Sequence, residues 1–215
     1  MTLTTDLQTQ QQQFRSRTPQ DVQTTMQQAT AELAASGILD QTLKVGDSIP
    51  DFTLPNATSQ KVNIRDLLDR GPVVIAFYRG GWCPYCNLEL KALQNALSSI
   101  QSTGATLVAI SPETPDNSLT TQEKNELAFP VLSDENNQVA RQFGLVFELP
   151  ASLRPIYESF GIDLVAYNGN DRFELPIPAT YVVRPNGEIV YAFADVDYTK
   201  RAEPSEVVEA LKGLE

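Results

Sequence analysis

Apolar and polar positions along the chain divide it into short alternating runs and longer periodic ones. Residues 1–17 are polar and Gln-rich, with little to bury, and this stretch is expected to be disordered. A helix then opens with Thr18 as its cap, Pro19 in the first turn and Asp21 at the third position. Val22, Met26, Ala29 and Leu33 lay one apolar stripe along it, and Gly37 ends it. Phe52 and Leu54 alternate with polar neighbours as in a short strand, and Val62 and Ile64 suggest another, followed by a short helix through Leu67 and Leu68. Residues 72–78 are almost continuously apolar and β-branched, the pattern of a central strand covered on both faces.

After a Gly80-Gly81 turn, Leu90, Leu93, Leu97 and Ile100 form the buried face of a long helix. A strand over 106–110, a turn-rich exit at Ser111 to Pro115, a helix over 119–128 and a strand over 129–132 follow. Residues 137–143 read as a short helix closed by Gly144. Residues 145–176 fit strict alternation poorly. Pro150, Pro155 and an Asn168-Gly169 turn mark an insertion with one helix near 156–160. Two apolar strands, 180–183 and 189–193, flank Pro185-Asn186-Gly187 and predict a hairpin. Glu203-Pro204 then opens a last helix bearing Val207, Leu211 and Leu214. This order predicts an α/β fold with a mixed central sheet flanked by helices, rather than an all-parallel doubly wound sheet. It divides the chain into residues 1–43, a polar segment and amphipathic helix, and residues 44–215, the main domain with its insertion around 145–176.

Charge and composition narrow the partners. The 215 residues carry 16 basic and 27 acidic side chains, a formal charge of −11, on a composition that is 41% hydrophobic. So acidic a surface repels phosphate backbones and anionic headgroups, which argues against nucleic acid and membranes. No stretch approaches the roughly 18 apolar residues that span a bilayer. The sequence MTLTTDLQTQQQQF has no basic region followed by an apolar core, so a secretory signal is not expected and the cytoplasm is. In that compartment a catalytic pair is the expected use of two cysteines.

Those two are Cys83 and Cys86, within Gly80-Gly81-Trp82-Cys83-Pro84-Tyr85-Cys86 between a buried strand and a long helix. At a helix N-terminus, unpaired N–H groups and the helix dipole favour a sulfur anion, and the thiolate is the nucleophile. Two intervening residues put the second sulfur one turn away. Cys86 is therefore the candidate resolving thiol, attacking a mixed disulfide or condensing with a sulfenic acid on Cys83. Two inert buried cysteines would explain the residues but not their place at the strand–helix junction. A zinc site takes about four ligands; with two cysteines and no histidine, neither a metal nor any other cofactor is expected. The absence of histidine also excludes Cys-His and Ser-His catalysis. Glu89 is either a proton carrier for Cys86, through water, or an exposed helical carboxylate.

Trp82-Cys83-Pro84-Tyr85-Cys86 with Glu89 resembles the active site of thioredoxin-like thiol–disulfide oxidoreductases, and Pro178-Ala179-Thr180-Tyr181 resembles the proline-led strand facing it. That resemblance implies a thioredoxin-like fold, a cis Ile177–Pro178 bond, and substrate contacts from Trp82, Tyr85, Ile177 and Pro178. Over residues 45–195 the chain is more similar to the alkyl hydroperoxide reductase/thiol-specific antioxidant group, the peroxiredoxins. Val45-Gly46-Asp47-Ser48-Ile49-Pro50-Asp51-Phe52-Thr53-Leu54 looks like their opening, and Phe129-Pro130-Val131-Leu132-Ser133-Asp134 like their middle strand and turn. Aligning Cys83 with the peroxidatic cysteine puts Gly80 in place of their hydroxyl residue, Ala76 in place of their proline and Pro178 in place of an arginine. Losing those donors weakens polarisation of the O–O bond. Arg79 is the candidate replacement for thiolate and peroxide stabilisation, with Arg184 a more distant one expected at the surface.

On these grounds the favoured expectation is an enzyme of dithiol–disulfide exchange. A thiol-dependent peroxidase acting on hydrogen peroxide or organic hydroperoxides is the close alternative, and a non-enzymatic redox sensor or binding scaffold the third. An external thiol, such as thioredoxin, glutaredoxin or glutathione, would restore the pair. The sequence does not set the oligomeric state.

Overall fold

The computed structural model describes residues 2–214. Residues 2–17 are not disordered: α1 spans Leu3–Arg17, and the expectation of disorder over 1–17 is corrected there, residue 1 lying outside the described residues. The Thr2 hydroxyl accepts from the Thr5 N–H, Asp6 lies in the first turn, and Arg15 and Arg17 lie in the last, so capping and dipole both favour the helix. Leu3, Leu7 and Phe14 fall on one face; the two leucines are buried with the long helix described below, and Phe14 meets Phe160 edge-to-face at 6.0 Å. The expected second helix, α2, runs Gln20–Ala35 and buries Met26 and Ala29. Gly37, with φ +74°, turns the chain into the short α3, Ile38–Gln41.

A small antiparallel pair, β1 (Thr53–Pro55) and β2 (Lys61–Asn63), leads through α4 (Ile64–Leu68) to β3 (Val73–Phe77), every residue of which is buried. The long helix α5 (Pro84–Ser102) connects it to β4 (Thr106–Ser111). The next helix, α6, occupies Pro115–Lys124 rather than 119–128, because Pro115 sits in its first turn, where a missing N–H costs nothing. Then come β5 (Val131–Ser133) and α7 (Gln138–Gln142). The segment 145–176 is itself ordered: β6 (Val146–Glu148) pairs with β7 (Glu174–Pro176) around α8 (Arg154–Ser159) and α9 (Leu164–Asn168). The hairpin β8 (Ala179–Val183) and β9 (Ile189–Ala194) and the helix α10 (Pro204–Lys212) close the chain.

The main sheet has the order β5-β4-β3-β8-β9, parallel across β5, β4 and β3 and antiparallel from β3 to β8 and β9. This is the mixed sheet expected. Strand alternation sends Val74, Ala76 and Tyr78 to the face packed by α1, α5 and α10, and Val73, Ile75 and Phe77 to the face packed by α3, α4 and α7. A third cluster joins α2 to the 145–176 segment through Met26, Ala29, Leu149, Leu153, Tyr157, Leu164 and Leu175. The two parts outside the alternating core thus pack on each other.

Gly144 ties α3 to this core. Its φ is +72°, and a Cβ there would lie 2.1 Å from the Gln41 carbonyl oxygen. Gly104 has nearly the same φ, +74°, with nothing within 4 Å of the same point. Gly104→Ala should therefore cost only the left-handed backbone penalty, about 1–2 kcal/mol. Gly144→Ala should add a backbone clash and exceed about 3 kcal/mol. Urea unfolding midpoints check this, and equal losses would contradict it.

Candidate active site

The strand β3 delivers the chain into the sheet's end, and the segment Tyr78 to Trp82 turns it into α5. Gly80 has φ +153°, and a Cβ there would meet the Trp82 indole nitrogen at 2.2 Å, so the turn requires glycine. The Gly81 N–H donates to Glu113 Oε1 at 3.0 Å, and the Asn87 side chain donates to the Gly81 carbonyl at 2.9 Å. The loop is pinned from both sides.

Cys83 is the N-cap of α5 and Pro84 its first residue, as the sequence suggested. Both cysteines are free thiols, and both are buried. Burial pushes the Cys83 thiol up, but the Cys86 thiol beside it, the charges of Arg79 and Arg201 and the Cys86 backbone N–H outweigh that and draw it down to about 6. Burial and the Cys83 thiolate push Cys86 the other way, well above the ordinary thiol range. The pair is divided into one sulfur that ionises readily and one that does not.

Arg79 points inward. It is 3% exposed and, among the described residues, makes no ion pair with a carboxylate. Its guanidinium lies over Tyr198, Trp82 and Tyr157 at 4.6, 5.1 and 5.7 Å and donates to the Tyr157 hydroxyl. Arg184 is instead half-exposed at the hairpin end, 3.4 Å from Glu188, away from the cysteines.

Glu89 is not the exposed helical carboxylate offered as one reading; it is 1% exposed and pairs with Arg201 at 2.5 Å. Burial pushes its carboxyl up, to about 7, against the lowering pull of Arg201 and the Thr180 hydroxyl. A second buried carboxylate, Glu113, is likewise pushed up to about 7 by burial, against the Gly81 N–H, the Tyr78 hydroxyl and the Thr121 hydroxyl.

A cavity of about 520 Å³ opens on Cys83. Phe14 from α1, Met26 from α2, Tyr157 from α8 and Phe160 just after it, and Trp82 and Tyr85 from the cysteine motif are in its wall. Among the described residues, Arg79 Nε, Trp82 Nε1 and Tyr85 Oη are buried without a hydrogen-bond partner, and all three residues line this cavity. Apolar walls with three unspent donors suit a small ligand that carries oxygen on an apolar body.

Ile177 and Pro178 are not in that wall. They line a neighbouring cavity that shares Met26, Arg79, Tyr157 and Tyr198 with the first. The Ile177–Pro178 bond is trans, since no peptide bond among the described residues is cis, and the expected cis bond is corrected. Here Pro178 continues an extended run: β7 ends at Pro176 against Val146, Ile177 donates to the Leu145 carbonyl at 2.9 Å, and β8 begins at Ala179 against Phe77. Sequence reading missed Arg201, Glu113, Tyr157 and Tyr198. Each reaches the site from a loop or helix far along the chain, and no spacing rule connects them to Cys83.

Residues 45–192 match the model of the AhpC/TSA family. Peroxiredoxin Bcp of Escherichia coli (strain K12) is 33% identical over 103 residues, 48% of this chain and 65% of that protein. A putative peroxiredoxin of Mycobacterium tuberculosis (strain ATCC 25618 / H37Rv) is 32% identical over 114 residues, 53% of this chain and 74% of that protein. The chain thus spans 65–66% of the length of several of the curated relatives it matches. Among solved structures, the peroxidoxin BcpB from Mycobacterium tuberculosis superposes with a TM-score of 0.64 at 22% identity, over 80% of this chain and 99% of that one. A peroxiredoxin-like protein from Aquifex aeolicus gives 0.64 at 19% identity, over 81% and 89%. The fold is the thioredoxin-like fold of these proteins, and the chain belongs to the AhpC/TSA family.

Proposed function

We propose that the protein is a thiol-dependent peroxidase, with Cys83 as peroxidatic nucleophile and Cys86 as resolving thiol. The observation that carries this is the pairing of a buried, easily ionised Cys83 with a buried Arg79 that has no carboxylate partner among the described residues, at the wall of a mostly apolar cavity. The relatives named as peroxiredoxins support the same reading over the disulfide exchange that the motif alone favours. So does access. Cys83 is 1% exposed, under side chains from α1, α2 and α8, and a peroxide can enter where a polypeptide disulfide cannot lie.

The chemistry follows from the geometry. The Cys83 thiolate attacks the outer peroxide oxygen; the O–O bond breaks, and the departing oxygen takes a proton and leaves as water or an alcohol. Cys83 becomes a sulfenic acid. Arg79, with Trp82 Nε1 and Tyr85 Oη, supplies the donors that the family's hydroxyl and arginine positions lack here, aimed at charge that develops on oxygen. Cys86 then condenses with the sulfenic sulfur and releases water, with Glu89 as proton carrier. An external thiol reductant of the thioredoxin, glutaredoxin or glutathione kind returns both thiols. Among the described residues no helix is long and apolar enough to cross a membrane; the cytoplasm is proposed separately, as the compartment the sequence leads us to expect.

Trp82 is the single tryptophan and shares the cavity wall with Cys83, so its fluorescence reports the reaction. Stopped-flow mixing with hydrogen peroxide or an organic hydroperoxide should give a phase proportional to peroxide, far faster than that of a free thiolate, and Cys83→Ser should abolish it. Arg79→Met should slow it roughly a hundredfold. A wild-type rate equal to that of a simple thiol would refute the peroxidase reading; rapid peroxide oxidation without turnover by any thiol reductant would mark a sensor.

Thiolate absorbance at 240 nm, taken as wild type minus Cys83→Ser, should rise with pH through a midpoint near 6. Arg79→Met removes a cation that favours the anion, so the midpoint should move up. An unchanged midpoint would show that Arg79 does not act on the sulfur.

A further inference from the structure

Cys86 lies below the cavity with no exposed surface, and its thiol is held protonated by burial and by the anion next to it. To close a disulfide it must nevertheless attack as a sulfur anion. Among the described residues one cation touches it. Arg201, in the loop between β9 and α10, places Nη2 3.2 Å from Cys86 Sγ.

The rest of that guanidinium is fully committed. Nε donates to Glu89 Oε2 at 2.5 Å, and Nη1 donates to the Tyr198 and Lys200 carbonyls at 2.6 Å each. The Arg201 side chain is 1% exposed. The other oxygen of Glu89 accepts from the Thr180 hydroxyl of β8 at 3.5 Å. Three segments, α5, β8 and the loop before α10, therefore fix a planar fork in one orientation. A counterion for Glu89 that only fastens the loop would account for Nε and Nη1. It would not require the remaining nitrogen to face a sulfur 115 positions away in the chain.

We propose that Arg201 is a catalytic residue of disulfide closure, its Nη2 stabilising the Cys86 sulfur as it attacks, with Glu89 as the residue that positions the guanidinium. This rests on the peroxidase reading. In the step, the Cys86 S–H bond ionises, an S–S bond forms to Cys83, and the Cys83 S–O bond breaks. The hydroxyl leaves with that bond's electron pair, and the proton from Cys86 joins it to give one water. No further oxidant or reductant enters. Arg79 then serves the sulfur that meets peroxide, and Arg201 the sulfur that never does.

The test follows Trp82 fluorescence after mixing with hydrogen peroxide in wild type, Arg201→Lys, and the double variant Arg201→Met/Glu89→Gln, which leaves no buried charge unpaired. Circular dichroism establishes which variants fold. Wild type should show a peroxide-dependent phase for Cys83 oxidation and a peroxide-independent phase for closure. In the double variant, closure should slow roughly tenfold or more, with the first phase much less affected. The longer-lived sulfenic acid should then pass to sulfinic acid on Cys83 at lower peroxide, read by mass spectrometry. Arg201→Lys keeps a cation opposite Glu89 and carries the test if the double variant does not fold; one ammonium cannot hold carboxylate, carbonyls and sulfur together, so closure should slow there too. Closure at the wild-type rate in a folded variant overturns the role of Arg201 alone. Absence of the peroxide-dependent phase in wild type overturns the peroxidase reading itself.

Discussion

A sulfur anion enclosed in a protein interior has lost its water and must be balanced by charge or donors fixed in advance, and the arrangement around Cys83 is organised by that requirement. Arg79 is equally enclosed and lacks a carboxylate among the described residues, so anion and cation each offset the cost of burying the other. Three aromatic faces hold the guanidinium without neutralising it, because a ring quadrupole attracts a cation and leaves its charge free to act. A carboxylate in their place would have fixed Arg79 equally well and cancelled its pull on the sulfur. The second arginine is treated in the opposite way. Arg201 carries Glu89 as a counterion; its charge also helps lower Cys83, but the sulfur it touches is that of Cys86.

That balance holds only while water stays out, which assigns a role to the parts of the chain outside the alternating core. Helices α1 and α2 and the segment 145–176 form one cluster, and Phe14, Met26, Tyr157 and Phe160 bring it over Cys83. At lower effective dielectric each charge–charge contact strengthens, and so does the cost of any group left without a partner. Arg79 Nε, Trp82 Nε1 and Tyr85 Oη are in that position, around a cavity beside the nucleophile.

Much of this was legible in the chain before its structure. The continuous apolar run that became β3, the Asn-Gly hairpin of β8 and β9, and the cysteine pair at the strand–helix junction are local signals, and each was found in place. The N-terminal helix was not recognised, because Leu3, Leu7 and Phe14 are too few among glutamines to read as a stripe, although Thr2, Asp6, Arg15 and Arg17 are sound terminal signals. The polar segment was weighed by composition when its end groups and three anchors decide its state. Glu89 was half-legible: its spacing from Cys86 was evident, but its burial depends on an arginine 112 residues later. Arg201 could not be found at all, since a basic residue in a polar loop is ordinarily a surface residue and only tertiary packing removes it from water.

The departures from the family pattern form one change rather than several. With glycine at position 80 the turn is free to bring the Trp82 indole against its backbone, which a Cβ would forbid. That ring then becomes one wall of the Arg79 cage. With proline at 178 no guanidinium can come from the start of β8, and one in the cavity wall with Cys83 is that of Arg79, from the turn before it. The hydroxyl and arginine of the usual pattern are thus absent together, and the cavity-lining residues whose buried polar atoms lack a partner among the described residues, Arg79, Trp82 and Tyr85, all come from the loop and first turn that carry Cys83. Nucleophile and donors on one short segment keep their relative geometry if the roof above them moves to admit peroxide or reductant. Donors spread over two strands would depend on those strands holding still.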